Sequence, residues 1–360
     1  MKIIELKKIK KITYKYLKKN LDDNELNEYI KIYKNKGEKF LIKYLERKTK
    51  IKKNYNFIKK KEFDNNVILK LVNNQINNWK NTTYNLNNLK LKHEKYILEI
   101  NNEVKLFSDH SRTQETLNFF RKVKLKYPNL HGKFVINLGD CEFDSYPYPV
   151  LAFSKSKNSN AILIPNYYLM NGDVKNCINE VFKLNMIPNK NNIYFRGINT
   201  GRSNDRLKLC IYSIKKPFMD CKISPKIINK DKIDKKDLSK LDRILDSNFI
   251  KKKLQLDNKY LLSMDGNGTS YDRFIWILFS NSLCLKFDSN LIEFFYSDLK
   301  PFEHYVPINI NNIDYTYKWI QENPTKVQQI IKNSTDFISN IINQDYLFDY
   351  TFNLLNDLKK

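Results

Sequence analysis

The sequence predicts an α/β fold in which strands alternate with helices and the sheets are largely parallel. Three observations point there. From about residue 103 onward, short apolar runs alternate with stretches of helical periodicity. Two of these runs end on polar or glycine residues: KFVINL (133–138) leads into Gly139-Asp140, and Asn192–Phe195 leads into Arg196-Gly197. The third is YLLSMDGNGTSYDRF (260–274), which reads as a buried strand, a glycine loop and a helix carrying an early arginine. The chain holds only eight glycines, so the pair at Gly266 and Gly268 singles that loop out.

Taken in order, residues 1–95 read as helical, basic and rich in asparagine, with apolar residues at helical spacing in IIELKKIKKITYKYL. No catalytic cluster occurs there, and we assign 1–102 to an accessory helical region. RTQETLNFFRKVKLKY continues as a helix that Pro128 stops. The strand candidates are then KFVINL, VLAFS (150–154), AILIP (161–165), Asn192–Phe195, Tyr260–Met264, Leu283–Phe287 and Tyr305–Ile308. The stretch 222–258 is polar and rich in lysine and aspartate, and is expected at the surface. The alternation divides at residue 190, giving α/β domains at 103–190 and 191–335. A C-terminal amphipathic helix at 336–360 is expected to return to the first of them. There is no repeat at a fixed period.

Composition bounds the function. With 360 residues and 41% hydrophobic content the chain can bury sizeable cores, and about two domains are expected. The net charge is +25, and residues 1–100 hold 26 Lys/Arg against 11 Asp/Glu, so +15 of it lies there. Such an excess suits nucleic acid, an anionic membrane surface or an anionic ligand. Lysine, asparagine and isoleucine are inflated together, which a solvated basic face and a biased composition also explain. Five widely spaced cysteines without a C-x-x-C pair argue against a disulfide framework or a zinc site, and fit a reducing compartment. No apolar stretch is long enough for a signal peptide or a transmembrane span. The expectation is a cytoplasmic protein or one peripheral at a membrane surface.

In open α/β sheets, ligands bind beyond the carboxyl ends of the strands. Asp140, Arg196 and the Asp265 loop all sit at such ends. An aspartate after a strand also serves as a cap or turn residue. Arg206 lies past Thr200-Gly201 and can open a helix. Glu293 precedes FFY, where a carboxylate can serve a helix dipole. The glycine loop and the helix start bring free N–H groups and a fixed positive charge together, the arrangement that holds a nucleotide's phosphates.

VINLGD (135–140), FSK (153–155), YFRG with TG (194–201), DGNG–S–DRF (265–274) and EFFY–LKP–HYVP (293–307) occur in the order found in the CAP10-like family, glycosyltransferase family 90, and the chain resembles that family over about 103–345. The resemblance implies a GT-B-like fold of two Rossmann-like domains facing across a cleft. It implies inverting transfer of glucose or xylose from a UDP-sugar to a hydroxyl of a glycan or protein, with no cofactor and no metal. Residue by residue, Asp140 matches the family's catalytic base. Arg196, Gly197 and Thr200 match the block facing the donor, and Ser270 and Arg273 match the loop on the diphosphate, beside Gly266 and Gly268. Glu293 matches the acid before FFY. The phosphate arginine after FRG falls on Arg202 or Arg206, and S-Y-D-R is one residue longer than the loop of some members. Asp109, Asp144 and Asp173 are spare carboxylates that compete for the base's role.

Two other readings compete. A basic nucleic-acid-binding protein would use the lysines and aromatics of the first 100 residues, but no RNA-binding signature supports it, so nucleic acid is not the expected partner. An inactive family member acting as a scaffold is disfavoured by the presence of Asp140 and Arg273. Residues 1–95 are expected to contact an anionic membrane surface or to place the acceptor.

Overall fold

The computed structural model describes residues 3–17, parts of 26–45, residues 65–79, 86, 89 and 91, and 94–358 apart from 185, 202, 227–232, 234 and 248–250. Residues 1–62 form one compact unit and residues 63–360 another. In the first unit, helix Ile3–Leu17 buries Ile9 and Thr13, one turn apart, and exposes Lys10 and Lys11. The Thr13 hydroxyl bonds back to the Ile9 carbonyl at 2.9 Å.

The second unit carries two five-stranded sheets and one two-stranded sheet. The first large sheet has the order β2-β1-β3-β4-β6, from β1 (Lys95–Ile100), β2 (Val104–Phe107), β3 (Gly132–Asn137), β4 (Val150–Ala152) and β6 (Ile162–Leu163). β1 runs antiparallel to β2 and β3, whereas β3, β4 and β6 are parallel. The helical region as read therefore ends early. KYILEI is a strand because it pairs on both sides, and Asn101-Asn102 supplies the hairpin turn to β2.

The second large sheet is parallel throughout, in the order β8-β7-β9-β10-β12. Its strands are β7 (Lys190–Ile198), β8 (Met219–Ser224), β9 (Asn258–Ser263), β10 (Leu283–Phe287) and β12 (Val306–Ile308). β9 and β10 are almost continuously buried, as strands covered on both faces must be. Helix Asp205–Ser213 joins β7 to β8 on one side, and the chain then crosses to β9 on the other. The gap between the carboxyl ends of β7 and β9 is thus the topological switch point.

The two halves are stitched together. β5 (Lys155–Ser156) pairs antiparallel with β11 (Leu291–Ile292). The C-terminal helical segment is divided: Pro324–Ile341 covers the second sheet's side, and Gln344–Leu358 returns to the first. The division falls at Asn343, whose side chain accepts the Asp345 N–H at 2.8 Å and so starts a new helix. On its return, buried Tyr350 donates to the Leu163 carbonyl at 2.7 Å, and Phe352 stacks on Tyr127 at 4.0 Å between centroids. None of the five cysteines forms a disulfide. No described helix is long and apolar enough to cross a membrane.

Candidate active site at the carboxyl ends of the second sheet

Asp140 follows β3 in a loop organised by Glu142. That carboxylate is buried, pairs with Lys95 at 3.0 Å, and accepts from Asn137 Nδ2 at 2.8 Å and from the N–H groups of Phe143 and Asp144 at 3.1 and 3.0 Å. Asp140 itself is partly open to solvent and takes the Arg112 guanidinium at 2.5 Å. Arg112 also donates to the Leu138 carbonyl at 2.9 Å and lies over the Tyr167 ring at 5.4 Å. Burial pulls the Arg112 pKa down, but the bond to Asp140 outweighs it and the net shift is upward. Sequence reasoning missed Arg112, which stands in the chain as an ordinary arginine ahead of a helix.

The backbone of Asp140 touches the second half. Its carbonyl accepts from Tyr271 Oη and from Ser154 Oγ, the latter at 2.7 Å. Gly268 packs against the same carbonyl, so closely that a Cβ there would lie 2.4 Å from the oxygen. Tyr271 has φ +38°, in the left-handed region that a bulky residue rarely occupies. It opens the helix Tyr271–Phe279, whose third residue is Arg273.

Among the described residues the Arg273 guanidinium makes no ion pair or side-chain hydrogen bond, and Lys226, Lys251 and Lys253 on the same cavity share that state. The guanidinium lies 5.4 Å from the Phe195 ring centroid. Burial lowers its pKa, partly offset by the neighbouring Asp272 carboxylate. It faces a cavity of about 780 Å³ over the ends of β7 and β8. Six cationic side chains line this cavity (Arg196, Lys226, Lys251, Lys252, Lys253 and Arg273) against three carboxylates (Glu180, Asp246 and Asp272). The lysines come from the segment that sequence analysis left as surface covering. Only their density in LysLysLys 251–253 could have singled them out.

Arg196 lines the same cavity but is fully engaged. It bonds Asp246 at 3.0 Å, the Asp220 carboxylate at 2.7 Å and the carbonyls of Phe195 and Asp220. It fixes the wall of the cavity. Gly197 lies on the cavity, and a Cβ there would meet the Phe195 ring at 2.7 Å.

Arg206 fills the switch point. Its guanidinium donates to the Ile198 carbonyl at 2.6 Å beyond β7, to the Met264 and Asp265 carbonyls at 2.7 and 3.1 Å beyond β9, and to Thr200 Oγ1 at 3.0 Å. Four of its five N–H groups are thereby used inside the protein. Arg202 lies outside the described residues, so the choice between the two arginines rests on Arg206 alone. Because Arg206 clamps the two loops together, the space over the sheet is divided. On its other side lies a second cavity of about 600 Å³, over the ends of β9 and β10 and lined by Gly266, Asp288 and Asn290 among others.

On the sides where a Cβ would project, the glycine loop packs against protein. A Cβ on Gly266 would meet Thr200 Oγ1 at 2.6 Å and Arg206 at 3.0 Å; one on Gly268 would meet Asp140. These glycines permit close packing between loops. Ser270 likewise turns its hydroxyl to Ser263 at 2.5 Å.

Glu293 is not on either cavity. It is buried at 1% exposure and accepts from Asn166 Nδ2 of the first half at 2.5 Å. Burial, foremost, pushes its pKa up to about 7. Nearby, Asp265 pairs with buried Lys286 at 2.5 Å and caps Ser270 N at 3.0 Å. Of the competing carboxylates, Asp109 accepts from Tyr96 Oη at 3.2 Å, Asp144 from Tyr146 Oη at 3.2 Å and Asp173 from Asn171 Nδ2 at 2.7 Å. Like Asp140, none of the three lines a described cavity. Among the described residues no cluster of three or more His, Cys, Asp or Glu side chains could hold a metal ion.

The chain is similar in sequence to known proteins. Human protein O-glucosyltransferase 3 is 28% identical over 272 residues, covering 70% of this chain and 50% of its own length. Mouse protein O-glucosyltransferase 1 is 32% identical over 104 residues, covering 28% of this chain and 26% of its own. The chain thus spans about half the length, or less, of the curated relatives it matches. A crystal structure of TarM overlaps at a TM-score of 0.36 and 17% identity, over 47% of this chain and 36% of that one. The model of the family described as glycosyl transferase family 90 matches residues 116–360, a span holding Asp140, the clamp of Arg206, Arg273 and Glu293, and the chain belongs to that family.

Proposed function

We propose that this chain transfers a sugar, glucose or xylose, from a UDP-sugar to an acceptor hydroxyl by a single inverting displacement. The observation that carries this reading is Arg273: a half-buried guanidinium that makes no ion pair with the described residues, at a helix start, facing a cavity rimmed by lysines. A volume of about 780 Å³ lies in the range of small-molecule sites. A dianionic diphosphate there would find charge-assisted partners in Arg273 and the lysines. These cations would stabilise the leaving group as its charge grows, which is why the reading needs no metal. Asp140 would take the proton of the attacking hydroxyl. Its carbonyl is held by Tyr271, two residues before Arg273, so base and leaving-group cation are positioned by one helix start.

Calorimetry of UDP binding tests this reading, on wild type and Arg273→Ala, with and without a chelator. Loss of a hydrogen bond to a charged group costs about 1.5–3 kcal/mol, so the variant is expected to bind about 10- to 150-fold more weakly. Chelator should change nothing. Unaltered UDP affinity in Arg273→Ala, or binding abolished by chelator, would overturn the reading.

A further inference from the structure

We propose that the second cavity, beyond the Arg206 clamp, is a binding site for a neutral sugar residue of a glycan, and that it holds the acceptor. The inference rests on the donor assignment above and extends it.

The two cavities differ in charge. The Arg273 cavity carries six cations against three carboxylates; the second carries one cation, Lys157, against Asp205 and Asp288, its third carboxylate, Asp265, being paired with Lys286. A diphosphate is drawn to the first and repelled from the second. The second cavity is thus left for a substrate without phosphate or carboxylate.

Its wall suits a hydroxyl-rich ligand. Asn290 is exposed and its side-chain amide makes no hydrogen bond with the described residues. Asp288 is exposed and accepts from Asn309 Nδ2 at 2.7 Å through Oδ2. Its other oxygen can accept from a hydroxyl. Ser289 Oγ accepts from Leu291 N at 3.0 Å, so its own proton remains to donate. These three consecutive side chains extend beyond β10 and offer donors and acceptors together. Across from the second-half residues stand Phe143 and Lys157, contributed by the first half. An aromatic ring presents a negative face to the C–H groups of a pyranose. A peptide acceptor would call instead for apolar pockets or a strand edge.

The cavity's walls are continuous with the loops that carry the proposed base. Phe143 lies three residues after Asp140, and Gly266 lies two residues before Gly268, which packs on the Asp140 carbonyl. The proposed base and the acceptor wall therefore share one loop on each side of the cleft. In the transfer, the acceptor oxygen would form the new bond to the anomeric carbon, its proton would pass to Asp140, and UDP would leave with the electron pair of the broken C–O bond.

Two measurements test the site independently of each other. The first is saturation-transfer NMR with neutral p-nitrophenyl hexosides and the matching hexuronide, on wild type, Asn290→Ala and Asp288→Asn. We expect signal from the neutral hexoside, little from the hexuronide, and affinity about 3- to 10-fold weaker in each variant. The second is transfer from UDP-glucose and UDP-xylose to the same glycosides and to a serine-containing peptide. KM for the glycoside should rise by that factor in both variants, while the Kd for UDP stays as in wild type. If UDP binds but no glycoside does, or if the variants bind glycosides as wild type does, the sugar site is refuted while the donor reading stands. If only the peptide accepts sugar, the site is refuted in favour of a protein acceptor. If glycosides bind as expected but UDP does not bind at all, the donor reading fails and the sugar site survives it.

Discussion

At the scale of single residues, function and stability draw on different side chains, although both kinds looked alike in the sequence. Asp140 and Glu293 are each a carboxylate next to an apolar run, yet one is partly solvated beside Arg112 and the other is buried. Asp140→Asn removes the proposed base without removing the Arg112 or Tyr271 contacts to the loop. Transfer should fall by about 10²-fold or more, with UDP affinity unchanged in calorimetry. Wild-type turnover would pass the role to another carboxylate. Glu293 makes the opposite prediction. Its folded pKa of about 7 is above its ordinary value of 4.5. Between those values the folded state binds more protons than the unfolded state, so stability falls as pH rises through that window. The two-and-a-half-unit interval corresponds to about 3 kcal/mol, to order of magnitude. Glu293→Gln keeps an oxygen for the Asn166 amide and removes the titration. Urea midpoints from pH 4.5 to 7.5 should show a decline in wild type that is flattened in the variant; parallel curves would refute this account.

At the scale of elements, the strands and the helix start were legible, and the partners of the loops were not. KFVINL, Tyr260–Met264 and Leu283–Phe287 read as strands because apolar density is a local property. The position of Arg273 one turn into its helix was legible for the same reason. What fills the space beside Gly266 and Gly268 depends on residues about 60 and 130 positions away, Arg206 and Asp140, and no window of sequence carries that. Hence the loop that reads as a phosphate cradle also makes packing contacts that no local pattern announces. Lys95 and Glu142 escaped notice likewise, since a buried ion pair between a strand and a loop looks like two surface charges in the chain. The packing account has a direct consequence. Gly268→Ala places a methyl 2.4 Å from the Asp140 carbonyl oxygen, and that oxygen is backbone, so the loop must shift. Transfer should drop by about 10²-fold, the scale of a misplaced catalytic group, while UDP affinity changes little. Equal loss of UDP affinity would instead place the loop on the donor, as the sequence suggested.

At the scale of the whole second unit, two sheets share one compact body of residues 63–360. The sequence marked a division near residue 190; the chain passes from the first large sheet to the second between Leu163, where β6 ends, and Lys190, where β7 begins, within one compact unit. The contacts that cross between the halves are long-range and were invisible in the sequence: β5 with β11, Asn166 with Glu293, and Tyr271 with Asp140. The returning helix Gln344–Leu358 adds a further tie, since Tyr350 touches Phe294 of the second half at 4.8 Å between centroids and donates to Leu163 of the first. Residues buried in both halves at once couple their unfolding, so the unit should melt in one transition and not two. Tyr350→Ala deletes a fully buried ring and leaves the Leu163 carbonyl without its donor. Large aromatic-to-alanine changes in cores cost about 3–5 kcal/mol. Urea unfolding followed by far-UV circular dichroism and by tryptophan fluorescence reads both halves, because Trp79 donates to Asn160 on the first side and Trp276 and Trp319 lie in second-half helices. In wild type the two probes should coincide. In Tyr350→Ala the common midpoint should move down by the amount that 3–5 kcal/mol dictates, with the slope unchanged. Separate transitions in wild type would mean that the crossing contacts are too weak to couple the sheets, and the shared helix start that positions Asp140 and Arg273 would then have no fixed frame.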